Sequence, residues 1–404
     1  MNKTLTDQII WLLTALLFSA FLIFENNIYL SYILIVITGL VFVAILFKYH
    51  FIFTLCFDKY QYHILTFATY CGITGLWAIN ASASIGKAIT ILEIMVCMTV
   101  FYSYYSLKDS VGELLECIRW SGYITSLYAI SFYGMDTIRR VIEEEARVDN
   151  SFANINSIAM IAAISLVLTI FRLLYHRISP TMLLVLPEII LISASGSRKA
   201  LMVVGLGVIL LCAFRYATRD VVKTLIRYIA LAVLLFFLIS FILTLPVFAG
   251  IVERMQGMIA AFTGVGNIEH SALLRKLYIA AGIEQFKRTP FFGIGISNSS
   301  YILMAAFGKD TYLHNNFVEL LACGGIIGFV IYYAMFIWPM WKIWKNREYG
   351  DESTDAVLVL LIITVIMDYG MVSYYSKSTY FYLMIFYLQA KLLLRQDCEK
   401  GQIK

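Results

Sequence analysis

Residues 28–47 read IYLSYILIVITGLVFVAILF, an apolar run without one charged side chain. An α-helix rises 1.5 Å per residue, so about 20 such residues cross the roughly 30 Å hydrocarbon layer of a bilayer. The run has that length and predicts a membrane-spanning helix. Comparable runs lie outward from it at 8–25, 63–80, 86–105, 112–134, 155–175, 181–195, 200–215, 228–249, 316–341, 355–373 and 379–394. The pattern predicts an all-α polytopic integral membrane protein with about 12 transmembrane helices. The runs 181–195 and 200–215 are short. Only Ser195-Gly196-Ser197-Arg198-Lys199 separates them, which predicts a broken or re-entrant pair and leaves the count one lower if they form a single crossing.

Composition agrees. Hydrophobic residues make up 61% of the 404 positions and charged residues 14%, against roughly 25% charged in soluble domains. Mean hydropathy is +0.80. The net charge of +5 comes without dense Lys/Arg runs, which argues against nucleic acid as a partner. Seven cysteines show no paired spacing and read as small buried hydrophobes, not disulfides or metal ligands. The first apolar run lacks a small-residue cleavage site and reads as a retained span.

Lys and Arg collect in cytoplasmic loops. With the N-terminus inside, Lys48 and Lys59, Arg172 and Arg177, Arg215 through Arg227, Lys342 through Arg347 and Lys391 through Lys404 all fall on the cytoplasmic side. The net acidic stretch 135–150 and the long polar stretch 250–315 then fall outside. The expected organisation is 1–249 for the first nine spans, 250–315 for an extracytoplasmic loop carrying an amphipathic helix, and 316–404 for the last three spans and a cytoplasmic tail. Within the loop the sequence predicts a helix over Ser271–Phe286, with Ser271 as N-cap and a stop before Thr289-Pro290. Arg275, Ile279, Gly282 and Phe286 share one face by spacing.

Chemistry-bearing residues gather on the expected outer side. His314 precedes the span at 316; such a histidine is either a neutral-pH base or an interfacial residue capping a helix. Arg147, Arg198, Lys199, Arg275, Lys287 and Arg288 run against the charge trend. Snorkelling to headgroups accounts for Lys287 and Arg288. It suits Arg198 less, because irregular backbone at membrane depth normally lines a cavity. A guanidinium grips phosphate oxygens in a two-pronged fork, so the arginines point to a lipid-linked phosphate or diphosphate. No His-Glu-x-x-His, Cys-x-x-Cys or Asp-x-Asp pattern is present, so neither metal nor cofactor is expected. Gly293-Ile294-Gly295 follows a helix rather than a strand and reads as a turn that directs the loop back, not a dinucleotide site.

Several segments together resemble the O-antigen ligase/polymerase family of bacterial envelope enzymes, which holds the Wzy-type polysaccharide polymerases and WaaL-type ligases. They are Gly75-Leu76-Trp77-Ala78-Ile79-Asn80-Ala81, Arg147 through Asn156, Ser195-Gly196-Ser197-Arg198, Arg275 with Phe286 and Pro290 through Gly295, and His314-Asn315 with Glu319-Leu320 and Gly324 through Gly328. Their order, and a long loop before His314-Asn315, match the family. Asn154-Ile155-Asn156 departs from it by lacking a proline between the two asparagines.

The resemblance implies a GT-C-like glycosyltransferase architecture in the bacterial inner membrane, with its active site on the extracytoplasmic face. It implies metal-independent transfer of a sugar chain from undecaprenyl diphosphate to a sugar hydroxyl. His314 then matches the base, and Arg198 and Arg275 the catalytic arginines that stabilise the leaving diphosphate. Arg147, Lys199 and Asn315 follow as substrate-binding or orienting residues. The implied partners are the undecaprenyl-diphosphate-linked oligosaccharide, the lipid bilayer, and chain-length regulator and flippase proteins. A polymerase of oligosaccharide repeat units is the first reading and a ligase of finished glycan the second. A transporter or flippase of lipid-linked sugars is the third; it calls for paired broken helices in two inverted halves, and one broken pair is visible.

Overall fold

The computed structural model describes residues 4–24, 29–109, 111–144, 148, 153–176, 180–216, scattered positions between 223 and 257, and 270–402. Among these residues the fold is all-α. Helices α1 Leu5–Ile23, α2 Tyr29–Lys48, α3 Lys59–Ile73, α4 Ala81–Lys108, α5 Val111–Tyr133, α6 Met135–Glu143, α7 Ile155–Tyr175, α8 Val185–Ser195 and α9 Arg198–Tyr216 form the first part. They are followed by α10 His270–Arg288, α11 Ser299–Phe307, α12 Asn316–Lys345, α13 Ser353–Met367 and α14 Lys377–Gln402. Six of them, α1, α2, α4, α7, α9 and α12, are long and apolar enough to cross a membrane, and α8 and α13 are shorter apolar helices. The chain is therefore an all-α polytopic membrane protein. The expected span at 228–249 and the first part of the loop, 250–269, lie largely outside the described residues.

Charged contacts show that the helices alternate in direction. Asp7, in the first turn of α1, pairs with Lys48 at the end of α2 (2.5 Å) and Lys108 at the end of α4 (3.3 Å). Lys108 also reaches Glu113 at the start of α5 (2.9 Å). At the same end of the bundle Asp58, the N-cap of α3, pairs with Lys391 late in α14 (2.9 Å), and Arg347 after α12 with Asp355 early in α13 (2.6 Å). Each partly buried pair adds little net stability, because desolvation offsets most of the attraction. Together they hold the register of the helix ends.

The opposite end is shaped by a break in α12. Gly325 sits at φ 63°, ψ −172°, outside helical geometry. The helix would otherwise bond the amides of Ile326 and Ile327 to the carbonyls of Ala322 and Cys323. Instead the Pro290–Gly295 segment supplies partners for all four. Ile294 and Gly295 donate to Ala322 (3.2 Å) and Cys323 (2.9 Å), while Ile326 and Ile327 donate to Pro290 (2.9 Å) and Phe291 (3.4 Å). Gly293-Ile294-Gly295 thus does more than turn the loop back: it is a wedge in a helix.

The segment around Trp77 clamps that wedge from the other side. Trp77 meets the Phe292 ring edge-on at 5.6 Å. Asn80 receives a bond from Asn298 Nδ2 (3.3 Å) on its carbonyl, and its amide donates to Asn298 Oδ1 (2.6 Å).

Two smaller expectations change. The loop helix begins at His270, so Ser271 lies inside its first turn rather than capping it, and it ends at Arg288 just before Thr289-Pro290. A second helix, α11, follows the wedge. The Ser195–Arg198 break is a closed turn between two helices. Gly196 takes φ 58°, the Ser195 hydroxyl accepts from the Ser197 amide (3.1 Å), and the Ser197 hydroxyl accepts from the Ala200 amide (3.4 Å), opening α9. Cys71, Cys97, Cys117, Cys212 and Cys323 are buried free thiols.

A methyl group at Gly325 would come within 2.2 Å of the Phe291 carbonyl oxygen, at a φ that L-residues disfavour. Gly325→Ala is expected to lower unfolding stability by about 2 kcal/mol or more. Gly205→Ala in α9, with nothing within 4 Å, is expected to be neutral or slightly stabilising. Thermal unfolding of both variants in detergent, followed by tryptophan fluorescence, checks the contrast; equal melting temperatures would refute the wedge.

Candidate functional site

His314 sits in the short link between α11 and α12, at φ 57°. A left-handed conformation costs a non-glycine residue roughly 1–2 kcal/mol, so the flanking residues must hold it. On one side Leu313 is fully buried, and its side chain packs where a Cβ on Gly282 of α10 would otherwise be. The Leu313 amide donates to Glu319 Oε2 (3.0 Å), and Ser299 donates to Glu319 Oε1 (2.5 Å). On the other side Asn315 caps α12: its Oδ1 accepts from the Val318 amide (3.0 Å) and its Nδ2 donates to the Tyr369 carbonyl (3.0 Å). The capping role anticipated for His314 therefore falls to Asn315, and the imidazole is left to the site.

The start of α12 is tied to the turn between α13 and α14. Asn316 donates to Asp368 Oδ2 (3.1 Å) and accepts from the amides of Ser373 (3.0 Å) and Tyr374 (3.2 Å). Tyr333 donates to the same Asp368 oxygen (2.9 Å), and the Asn316 amide donates to the Asp368 carbonyl (2.8 Å). This knot fixes the 368–376 turn beside the His314 link.

Two rings flank the imidazole. Tyr312 lies 4.1 Å away between centroids, and Tyr278 of α10 stacks nearly parallel at 6.1 Å. Burial pushes the His314 pKa down to about 4, with Arg275 and Lys199 adding positive charge close by. Arg275 stands one turn before Tyr278 on α10. Lys199 comes from the first turn of α9, where its side chain lies along Gly370 of the 368–376 turn; a Cβ there would meet its Cε at 3.0 Å. Segments more than a hundred residues apart thus bring His314, Arg275, Lys199 and Asn315 to one place.

Arg198 is buried, 8% exposed, as the first residue of α9 and the chain neighbour of Lys199. Arg147 lies outside the described residues. Its neighbour Val148 is buried and donates its amide to the Ala194 carbonyl (3.0 Å), at the end of α8. Lys287 and Arg288 are exposed and pair with Glu284.

Sequence reasoning assigned no role to Glu319, Ser299, Asn316 and Asp368, which hold the link in place. Glu319 carried a signal: an acidic residue one turn into an apolar run is rare unless it has a task.

Residues 180–333 match the family model described as O-antigen ligase. This match, over less than half of the chain, supports the resemblance to the O-antigen ligase/polymerase family. The matched stretch runs from just before α8 into α12 and includes Arg198, Lys199, Arg275, His314 and Asn315. No curated protein matches the chain. The match supports a glycosyltransferase-like ligase or polymerase role on a multi-pass membrane protein.

With its pKa near 4, His314 is neutral at pH 7 and stays so through pH 5. The unfolded chain takes up that proton below about 6.5. Acid between those values therefore favours unfolding, and this contribution vanishes above about 6.5. Removing a neighbouring cation in Arg275→Gln is expected to raise the His314 pKa. Histidine-labelled NMR, with the resonance assigned by its loss in His314→Gln, reads both values. An imidazole titrating at its ordinary value in the parent protein would refute the burial and charge described.

Proposed function

We propose that the protein polymerises undecaprenyl-diphosphate-linked oligosaccharide repeat units into a surface polysaccharide such as O-antigen, capsule or exopolysaccharide. The observation that carries this reading is the convergence of a neutral histidine with Arg275 and Lys199 at one end of a membrane bundle. The acceptor hydroxyl oxygen attacks the anomeric carbon of the donor sugar, and its proton passes to the His314 imidazole. The bond from that carbon to the diphosphate oxygen breaks, and the oxygen leaves with the electron pair. Arg275, Lys199 and Arg198 stabilise the negative charge on the diphosphate. Such a leaving group needs charge stabilisation rather than a strong acid, which suits a site rich in cations. Arg147 and Asn315 serve binding and orientation in this reading, Asn315 by holding the histidine link. No metal or cofactor takes part.

The charge asymmetry of the loops supports placing this end on the extracytoplasmic face of the bacterial inner membrane, with 250–315 as the outer loop between the spans of 1–249 and those of 316–404. A flippase that delivers the lipid-linked unit and a regulator of chain length are the partner proteins this reading calls for.

Loss of a general base typically costs 10²–10⁴-fold in rate. Purified His314→Ala is expected to elongate lipid-linked repeats at least about a hundredfold more slowly than the parent, with its level in the membrane unchanged. Arg275→Gln is expected to fall by a similar order. An unchanged product ladder from His314→Ala would sink the assignment.

The ligase reading is favoured by the description of the matching family, O-antigen ligase. Lipid-linked intermediates in a deletion strain decide between the two. Single repeats on the carrier are expected for a polymerase, and long unattached chains for a ligase.

A further inference from the structure

A second pair of cations lies at the other end of the 368–376 turn. The Lys87 ammonium, in the second turn of α4, sits 3.8 Å from the centroid of the Tyr375 ring. Lys377, the first residue of α14, is within electrostatic reach of it. Both lysines are half-buried, and neither makes an ion pair with a described carboxylate. The acids within reach are Glu319 for Lys87 and Glu93 for Lys377. Glu319 already has both oxygens bonded, to Ser299 and to the Leu313 amide. Glu93 accepts from Ser31 of α2 at 3.4 Å through one oxygen, and its other oxygen is buried without a partner.

Two half-buried ammonium groups within electrostatic reach of each other repel, and cations in a bilayer-spanning bundle are rare unless they serve a pathway or a ligand. An anion between them would relieve that repulsion. Its surroundings point to a lipid. The flanks of α2 and α4 leave Ile35, Val36, Ile89 and Val96 exposed, a surface that suits an isoprenoid chain. The position also matters. Glu319, which faces Lys87, holds the Leu313 amide next to His314, so an anion here would lie one side-chain layer from the catalytic link. Lys199 touches Gly370 near the start of the same turn, so the two cationic places are separated by a few residues of one fixed segment.

We propose that Lys87 and Lys377 form a second lipid-diphosphate site, which holds the carrier of the acceptor repeat unit while Arg275, Lys199 and Arg198 hold the carrier of the donor. The identity of its occupant as an acceptor rests on the polymerase reading; the site itself does not. A polymerase has a lipid diphosphate on both substrates, and this arrangement gives each one a cationic place. Fixing both carriers would supply the proximity that a reaction between two membrane-held chains requires.

The test is a count of bound lipid. The full-length protein in phosphatidylcholine nanodiscs is titrated with undecaprenyl diphosphate bearing no sugar and examined by native mass spectrometry. Two lipids are expected on the parent protein. One is expected on Lys87→Gln/Lys377→Gln, with the weaker site losing at least about tenfold in affinity, since a charge-assisted contact is worth more than the 1.4 kcal/mol that a factor of ten represents. Lys87→Arg/Lys377→Arg is expected to keep both, which separates a charge requirement from a folding defect. A single lipid on the parent, or two on the Gln variant with unchanged affinity, would overturn the proposal. Displacement of the second lipid by phosphatidylglycerol would also overturn it, by showing a general headgroup site; retention against phosphatidylglycerol together with competition by inorganic diphosphate supports it. Elongation by parent and His314→Ala protein is measured separately. Two bound lipids with undiminished elongation in His314→Ala leave this site standing and remove the catalytic assignment, and normal elongation with one bound lipid does the reverse.

Discussion

The loop end of the molecule depends on four backbone hydrogen bonds between the Pro290–Gly295 wedge and the broken turn of α12. In a bilayer interior no water is available to pair a freed amide or carbonyl, and each unpaired group costs several kcal/mol. The break at Gly325 removes the bonds from Ile326 to Ala322 and from Ile327 to Cys323, and the wedge replaces them with two pairs of its own. The carbonyl of Gly324, next in line, accepts from the Tyr70 hydroxyl of α3. Glycine is required at 293 and 325 because each has a positive φ and a backbone group pressed against its Cα. Loop, α3 and α12 are thereby locked together, and α10 and α11 on either side of the wedge take fixed positions over the membrane end.

That lock explains why residues far apart in sequence share motifs without sharing chemistry. The Trp77 to Asn80 segment, the Pro290 to Gly295 segment and the Gly324-Gly325 pair form one structural clamp. Lys199, Arg275 and His314 belong to the charged arrangement next to it. A sequence read alone cannot separate these two groups, since both present as glycine, aromatic and polar residues at span ends.

The helices were legible because bilayer thickness imposes a length on apolar runs, and the runs beginning at 28, 86 and 155 emerge as α2, α4 and α7 with small shifts at their ends. The loop helix was legible because Pro290 stops it. What sequence could not supply is which side chains become partners across the chain. Glu319, Asn316 and Asp368 look like ordinary polar interruptions until the fold places Leu313, Ser299 and Ser373 beside them. The left-handed turn at His314 was also hidden, because nothing in Leu313-His314-Asn315 demands it locally; it is imposed by anchors on both sides. Asn315 was legible as important, and its cap and its bond to Tyr369 give it the orienting role.

Magnitudes indicate that this link is held without help from a ligand. The left-handed residue costs roughly 1–2 kcal/mol. Against it stand the Leu313 amide on Glu319, the two bonds of the Asn315 amide and the Asn316 knot with Asp368, each net favourable by about 0.5–1.5 kcal/mol. Hydrogen bonds to charged or buried groups lie at the upper end of that range, and losing one partner would leave the other unsatisfied at a similar cost. The sum exceeds the strain. The imidazole is therefore held in place between Tyr278 and Tyr312 and within the field of Arg275 and Lys199. A lipid diphosphate entering that field would bring negative charge next to the two cations that now depress the histidine's basicity. In doing so it would raise the basicity of His314 toward the value a general base needs at neutral pH. Under the proposed reaction, charge alone would put the donor anion first and the base competent to accept the acceptor's proton second.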